Sequence, residues 1–476
     1  MSANSTALPL DNGCGSTLNA PARSLPLLAS FAVRILDTRL KLVNSFVSAG
    51  WTIQRSFERA GEKMAKGRSP LVIIFITVFI DLVGFGIVIP VLPLYAKNFH
   101  ASDAVIGLLL GSYSGMQFFF APILGRMSDK YGRRPVLLFS ILGTSLGFLV
   151  MGLANTLWLL FVARIIDGAT GGNISTAQAY IADVTPPEKR SSGMGLIGAA
   201  FGLGFIFGPA LGGVLSRISL AAPFLFAAGL AAANAIALFF LLPESLAHEH
   251  RTKAGGRAPI RQVFREAGSW QLGAIIATYF FGTVAFALLT ATYPLFTEGR
   301  LNLDALHNGY IFAYLGLIGA IIQGGFIGRL NKLFGEKTLA VTGTLVLAIS
   351  MFALPSSMSV VRLVLISTGI AVGNSLVTPT LNAMLSKSVG ASWQGRALGV
   401  MQSAASLARI LGPVLGGVLL GTAGVSSPHF GQAPYWTAAA IMLIAVGLAT
   451  TLRQSGLAEL EVSKAGTESR IGRGAR

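Results

Sequence analysis

Four ionisable side chains lie inside long hydrophobic runs of this sequence: Asp81, Arg164, Asp167 and Arg409. A charge at membrane depth costs roughly 2.5–3.5 kcal/mol on insertion scales, so each should have a specific use. Arg164 and Asp167 are three residues apart and therefore share one helix face. A carboxylate in a low-dielectric cavity retains a proton more readily, whereas a nearby arginine favours its ionised form. The set predicts proton exchange.

Asp81 is predicted to be the exchangeable acid, with Arg164 as its electrostatic partner. Two alternatives stay open. Asp81 and Arg164 can form a static pair that holds two helices together, because structural ion pairs also perturb titration. Asp167 can instead neutralise Arg164 permanently and leave Asp81 alone to titrate. Arg409 has no partner that the sequence identifies.

The runs that carry these charges indicate a membrane protein. The chain has 476 residues, 53% of them hydrophobic and 12% charged, with a mean hydropathy of +0.67. Its hydrophobic runs are continuous and about 20 residues long, as in membrane-spanning helices, rather than alternating as in β-barrel strands. Twelve spans are predicted, at 71–94, 104–124, 135–155, 156–180, 193–215, 221–242, 272–296, 306–327, 338–355, 360–385, 397–422 and 435–452. The predicted fold class is an all-α membrane protein.

The net charge of +17 comes from basic residues in the loops between the hydrophobic runs, which argues against a nucleic-acid-binding surface. Alternate loops hold most of the arginines and lysines, which predicts that those loops and both termini are cytoplasmic. The single cysteine, Cys14, leaves no intrachain disulfide or thiolate metal site. The sequence contains no phosphate-binding loop, catalytic nucleophile motif or metal cluster. We therefore expect no enzyme activity, no cofactor and no nucleic-acid partner.

An internal repeat divides the spans into two sets of six. GRMSDKYG at 125–132 returns as GRLNKLFG at 328–335, and GPALGG at 208–213 returns as GPVLGG at 412–417. Gly172-Asn173 likewise returns as Gly373-Asn374, so the three offsets are 203, 204 and 201 residues. Parallel halves of this kind rock around a site at the midplane. The predicted parts are an extension over 1–69, a first bundle over 70–242, a cytoplasmic linker over 243–268, a second bundle over 269–452 and a cytoplasmic tail over 453–476.

The first 69 residues carry polar side chains at helical spacing between Arg34 and Arg59. This pattern predicts an amphipathic helix on the inner membrane surface. Translation from Met64 is an alternative that would leave the segment out of the protein. A receptor or scaffold that moves nothing is a further alternative for a chain with such an extension.

The turn after the second span is predicted to gate the movement of the halves. The stretch GRMSDKYGRR places charges there, where Asp129 can contact a helix N-terminus or an arginine in one state only. A solvated basic loop is the alternative. The candidate gating residues of this turn are Gly125, Asp129, Gly132, Arg133 and Arg134. Small residues beside a proline in the fifth and eleventh spans allow close helix packing, and these residues are Gly204, Gly208, Pro209, Gly212 and Pro413.

GRMSDKYGRRPVLL resembles the signature loop of the major facilitator superfamily. FIDLVGFGIVIPVLPL, LFVARIIDGATGGN and GLGFIFGPALGG resemble the first, fourth and fifth helices of its twelve-helix drug/proton antiporters. YIADVTPPEKR is most similar to the tetracycline-exporter-like branch. The resemblance implies two pseudo-symmetric six-helix bundles and gating by the fifth-helix motif. Where tetracycline exporters usually carry a histidine and an aspartate in the eighth and ninth helices, this chain has Gly319 and Leu347.

Polar and aromatic residues at helical spacing are candidates for a central substrate cavity. They are Gln117, Ser175, Gln178, Tyr279, Phe286, Tyr293, Gln323 and Asn374, and ordinary interhelical packing is the alternative for each. We expect a monomeric, proton-coupled exporter of small amphipathic compounds in the inner membrane. A carrier of the same fold for a metabolite, such as a sugar or organic acid, is the alternative.

Overall fold

The computed structural model describes residues 70–186, 190–246, 269–389 and 394–453. The predicted extension over 1–69, most of the 243–268 linker and the tail after 453 lie outside these ranges. The helices are α1 (Pro70–Lys97), α2 (Asp103–Tyr131), α3 (Arg133–Gly152), α4 (Leu157–Thr170), α5 (Asn173–Val184), α6 (Arg190–Leu215), α7 (Ala222–Leu241), α8 (Ser269–Leu301), α9 (Ala305–Ile321), α10 (Ile327–Phe334), α11 (Glu336–Ala353), α12 (Val360–Lys387), α13 (Gln394–Leu420) and α14 (Gln432–Thr450). A π-helical turn, Ile322–Phe326, joins α9 to α10, and a 3₁₀ turn, Leu354–Ser356, follows α11.

Eleven of the twelve predicted spans correspond to helices that are long and apolar enough to cross a membrane. The twelfth, predicted as one helix over 156–180, is divided between α4 and α5. The break falls at Gly171 and Gly172, because consecutive glycines have the lowest helix propensity apart from proline. Gln117 of α2 donates a hydrogen bond from Nε2 to the backbone carbonyl of Gly171 at the break, at 3.0 Å.

The helices pair in a pattern that occurs twice. The most extensive contacts join α1 with α6 and, about 200 residues later, α8 with α13. The halves, α1–α7 and α8–α14, meet in the same duplicated way, through α2 with α13 and α6 with α9. This architecture is the major facilitator fold. It places the concave faces of the two halves against each other, with a cavity between them.

The end of α2 corrects the prediction for GRMSDKYG. The helix extends to Tyr131, so this stretch is helical rather than a loop, and Gly125 lies inside the helix. Because Gly125 lies inside the helix, the turn predicted for this stretch does not begin there. Gly132 alone makes the turn to α3, with a φ of 109° that favours glycine. The repeated stretch similarly extends the eighth span to Phe334 through the π-helical turn.

Candidate functional site

A cavity of about 290 Å³ lies between the two halves. Its wall is mostly apolar and aromatic, with a few polar and charged groups, which suits a drug-sized amphipathic molecule. The first half contributes Asp81, Phe85, Tyr113, Gln117, Arg164 and Phe205 to it, among others. The second half contributes Tyr279, Thr283, Phe286, Leu347, Asn374, Gln402 and Arg409, among others.

Asp81 of α1 is a lining residue of this cavity, and its partner is an amide. Asn173, the first residue of α5, donates from Nδ2 to Asp81 Oδ1 at 2.7 Å. Asn173 is 2% exposed, and its own side-chain oxygen has no hydrogen-bond partner among the described residues. The helix break at Gly172 therefore brings a neutral donor to the carboxylate. Sequence reasoning missed Asn173, although the repeat aligned it with the cavity candidate Asn374.

The structure differs from the predicted pair between Asp81 and Arg164. Arg164 instead contacts Asp167, with Nη1 and Oδ2 separated by 3.3 Å and both side chains buried. Its guanidinium also lies over the ring of Tyr113, 4.3 Å from the ring centre. Arg164 is therefore neutralised within α4, which agrees with the alternative in which Asp81 is left without a cationic partner.

Two of the predicted cavity residues, Ser175 and Gln178, are exposed and are not among the residues that line the cavity. The break between α4 and α5 changes the helical register, so positions after it no longer share the face of Arg164. Gln117 does line the cavity, as predicted.

Four residues of α8 line the cavity: Tyr279, Thr283, Phe286 and Thr290. Tyr293 does not, because its ring is fully buried and its hydroxyl lies 2.7 Å from Ser367 Oγ of α12. It is therefore a packing residue between helices of the second half.

Of the remaining candidates, Asn374 of α12 lines the cavity and Gln323 does not. Gln323 lies in the π-helical turn and is exposed. Leu347, one of the two positions at which the sequence departs from the family resemblance, also lines the cavity with an apolar side chain. Sequence reasoning missed the lining residues Tyr113 and Gln402, although they share helices with the predicted residues Gln117 and Arg409.

The charged residues at the inner ends of α2 and α3 form a cluster within the first half. Arg133 donates to Asp129 at 2.6 Å and to Asp183 of α5 at 3.1 Å, so the predicted contact of Asp129 with an arginine is present. Glu244 accepts from the backbone N–H groups of Arg133 and Arg134 at the start of α3. A carboxylate at a helix N-terminus is stabilising because it satisfies free donors and the helix dipole.

The glycines of α6 pack against α1, as their spacing predicted. A Cβ at Gly208 would lie 2.7 Å from the carbonyl oxygen of Val83, and Cβ atoms at Gly204 and Gly212 would lie 2.6 Å from Leu82 and 3.1 Å from Ile87 of α1. Gly412 makes the corresponding contact with α8, where a Cβ would lie 2.7 Å from the carbonyl oxygen of Val284. Both pairs depend on small residues, because backbone approach replaces the hydrophobic effect in lipid.

Small residues also close the two halves against each other at one side. We call the ends that carry residues 98–102 the outer side and the ends that carry 125–134 the inner side. A Cβ at Gly107 of α2 would lie 2.2 Å from the carbonyl oxygen of Pro413, and one at Gly309 of α9 would lie 2.4 Å from that of Pro209. Near the inner ends, several glycines have open space within the described residues: Gly195, Gly198, Gly202, Gly324, Gly325, Gly328 and Gly399.

Two ion pairs join the halves at the same outer side. Lys97 at the end of α1 contacts Glu298 near the end of α8 at 2.7 Å. Arg217, after α6, lies 3.8 Å from Asp304, whose side chain caps the N-terminus of α9. Lys97 and Glu298 are 201 residues apart, which is the offset of the internal repeat. Equivalent ends of the two halves therefore carry opposite charges that meet.

Comparisons with known proteins agree with this architecture. The sequence matches the Major Facilitator Superfamily over residues 74–330 and 324–470. It is 36% identical over 363 residues to the class C tetracycline resistance protein of Escherichia coli, covering 74% of this chain and 89% of that one. It is 30% identical over 404 residues to multidrug resistance protein 1 of Bacillus subtilis, covering 84% of this chain and all of that one.

Among solved structures, the crystal structure of a human organic anion transporter superposes with a TM-score of 0.61 at 25% identity. The superposition covers 80% of this chain and 98% of the human one. Motifs, fold and relatives thus agree over most of the sequence. The chain belongs to the Major Facilitator Superfamily, as a multi-pass membrane transporter related to the tetracycline and multidrug resistance proteins.

Proposed function

We propose that the protein is a proton-coupled antiporter that exports small amphipathic compounds. The observation that carries this proposal is the environment of Asp81, a cavity carboxylate held by the neutral amide of Asn173 at 2.7 Å. Within the described part of the chain Asp81 forms no ion pair that protonation would break, whereas protonating Asp167 would leave the buried Arg164 without its partner. Asp81 is therefore the group suited to load and release a proton.

Alternating access is supported by the contacts that close the outer side. The cavity lies between halves that are joined there by backbone approach and by two ion pairs, Lys97–Glu298 and Arg217–Asp304. In this state the proposed substrate enters from the inner side. Rocking of the halves would break the outer contacts and bring the Arg133 cluster and the glycine-rich helices into the gate at the inner side.

The relatives support export rather than uptake. Two of them are named for resistance to tetracycline or to many drugs, and a transporter confers resistance by removing its substrate from the cell. We place the protein in the inner membrane, as a monomer with both termini cytoplasmic, because its basic loops lie on one side.

Transport into inverted membrane vesicles under an imposed pH gradient tests the role of Asp81. Asp81→Asn should abolish proton-driven accumulation and the proton release that substrate addition causes, because an amide cannot exchange a proton. Glu336→Gln is the matched control, since Glu336 pairs with Lys387 at 2.7 Å away from the cavity and should leave coupling intact. Proton coupling retained in correctly inserted Asp81→Asn would refute the assignment.

A drug-susceptibility panel on cells that express the protein tests the substrate class. Resistance to several amphipathic compounds, lost in Asp81→Asn, is the expected result. Unchanged susceptibility across all compound classes would favour the metabolite carrier of the same fold.

A further inference from the structure

Arg409 of α13 lines the cavity, and its hydrogen-bond partner among the described residues is a neutral side chain. Its Nη2 donates to Ser406 Oγ, one turn earlier on the same helix, at 3.3 Å. None of the ion pairs between described residues includes Arg409. The other cavity arginine, Arg164, has its carboxylate within 3.3 Å. A charge held in a low-dielectric wall without a counter-charge is costly, so its retention calls for a ligand.

Two phenols line the same cavity as Arg409: Tyr279 of α8 and Tyr113 of α2. Asp81 also lines it. A carboxylate from the first half and a guanidinium from the second half therefore face one cavity.

The rest of the wall restricts what can reach both charges. Phe85, Phe205, Phe286 and Leu347 line the same cavity, and the α8 hydroxyls of Thr283 and Thr290 donate to carbonyls of their own helix. A ligand here needs an apolar body. Guanidinium groups bind carboxylates in a planar, two-point geometry, which makes Arg409 suited to an acidic oxygen group on that body.

We propose that Arg409 binds the acidic group of the substrate, and that the preferred substrates are amphoteric amphipaths with a basic nitrogen directed to Asp81 and an acidic oxygen group directed to Arg409. This inference rests on the proposed export function. It separates this transporter from one for simple lipophilic cations, which would add positive charge to a cavity that holds an unpaired arginine.

Ciprofloxacin and its methyl ester form a matched pair of probes, because they share the ring system and the amine and differ in the acidic group. In proton-driven vesicles the protein should transport the acid in preference to the ester. Arg409→Gln should lower transport of ciprofloxacin about tenfold, the scale of one charge-assisted hydrogen bond, and should not lower transport of the ester, because the charge of Arg409 disfavours a cation. Arg409→Lys should restore part of the preference. Arg362→Gln, outside the cavity and bonded to Ser356, should behave as the unaltered protein.

Equal losses of acid and ester in correctly inserted Arg409→Gln would overturn the proposal and assign Arg409 a structural role. Failure of the export function is distinguishable, because in that case the unaltered protein would move neither probe. Binding of the two probes to the purified protein, measured by ligand fluorescence, then tests the substrate proposal independently of transport. A preference for the acid that disappears in Arg409→Gln supports the proposal, and equal affinity for acid and ester overturns it.

Discussion

Replacing Gly107 with alanine should open the outer side of the transporter. The added Cβ would lie 2.2 Å from the carbonyl oxygen of Pro413 and 3.2 Å from the Cα of Gly417, both in the other half. A backbone oxygen cannot rotate away, so α2 and α13 must separate until the first distance reaches at least 3.0 Å. Overpacking of this kind costs about 1–3 kcal/mol, which changes the ratio of outer-closed to outer-open molecules by about 5- to 150-fold.

The separation of the halves can be measured directly by electron–electron distance spectroscopy. Spin labels at Ser219 and Ser426, exposed residues of the outer turns, would report it once Cys14 is replaced by serine. The Gly107→Ala distribution should shift to longer distances. Gly115→Ala is the control on the same helix, because a Cβ there meets nothing within 4 Å among the described residues. An unchanged distribution in Gly107→Ala, or an equal shift in both variants, would refute the reasoning.

The outer ion pairs should stabilise closure of the outer side less than the glycine contacts do. Unlike the glycine contacts, they depend on pH through the ionisation of their carboxylates. Lys97 and Glu298 are 30% and 41% exposed, so their ion pair is weak. Glu298→Gln should raise the ratio of outer-open to outer-closed molecules by a factor of about 1.4–5, measured from the same distance distribution. Exchanging the two residues should restore the original ratio. For Asp304, burial raises the pKa, but hydrogen bonds and charge from His307 and the charge of Arg217 outweigh it, so the pKa is lowered. The contribution of Asp304 is therefore present above the ordinary aspartate value of about 4 and is lost only below it. In the Asp81→Asn background the distance between the two spin labels should stay constant between about pH 5 and 8. A longer distance within that range would contradict the lowered pKa of Asp304.

Hydrophobicity determined the spans more reliably than their ends. Eleven runs became single helices because lipid leaves the backbone no other way to satisfy its hydrogen bonds. Hydropathy alone did not reveal the break at Gly171 and Gly172, although the residues of α5 are more polar than those of α4. It also ended α2 before GRMSDKYG, although charged residues are tolerated in the last helical turns beyond the hydrocarbon region.

The site was predictable as a set of residue types, but not as a set of partners. Asp81, Arg164, Asp167 and Arg409 were found because charge in an apolar run is conspicuous. Which of them pair depends on where α5 starts. Because the helix breaks before Asn173, the amide of Asn173 is placed to donate a hydrogen bond to Asp81. The consecutive glycines Gly171 and Gly172 carried the signal for the break, whereas the aligned pair Gly373-Asn374 lies inside the continuous helix α12.

The charges of the site connect the substrate proposal to the energetics of transport. With Asp81 ionised, the two carboxylates and the two arginines of the site sum to zero, and with Asp81 protonated they sum to +1. If one proton exchanges for one substrate, a zwitterion leaves a neutral site and a proton returns to it, so one positive charge moves inward per cycle. A monocation exchanged for one proton moves no net charge. An inside-negative membrane potential should therefore accelerate export of ciprofloxacin and leave export of its methyl ester unchanged, when the pH gradient is held at zero. Equal responses of the two probes to the potential would contradict this charge assignment even if both are transported.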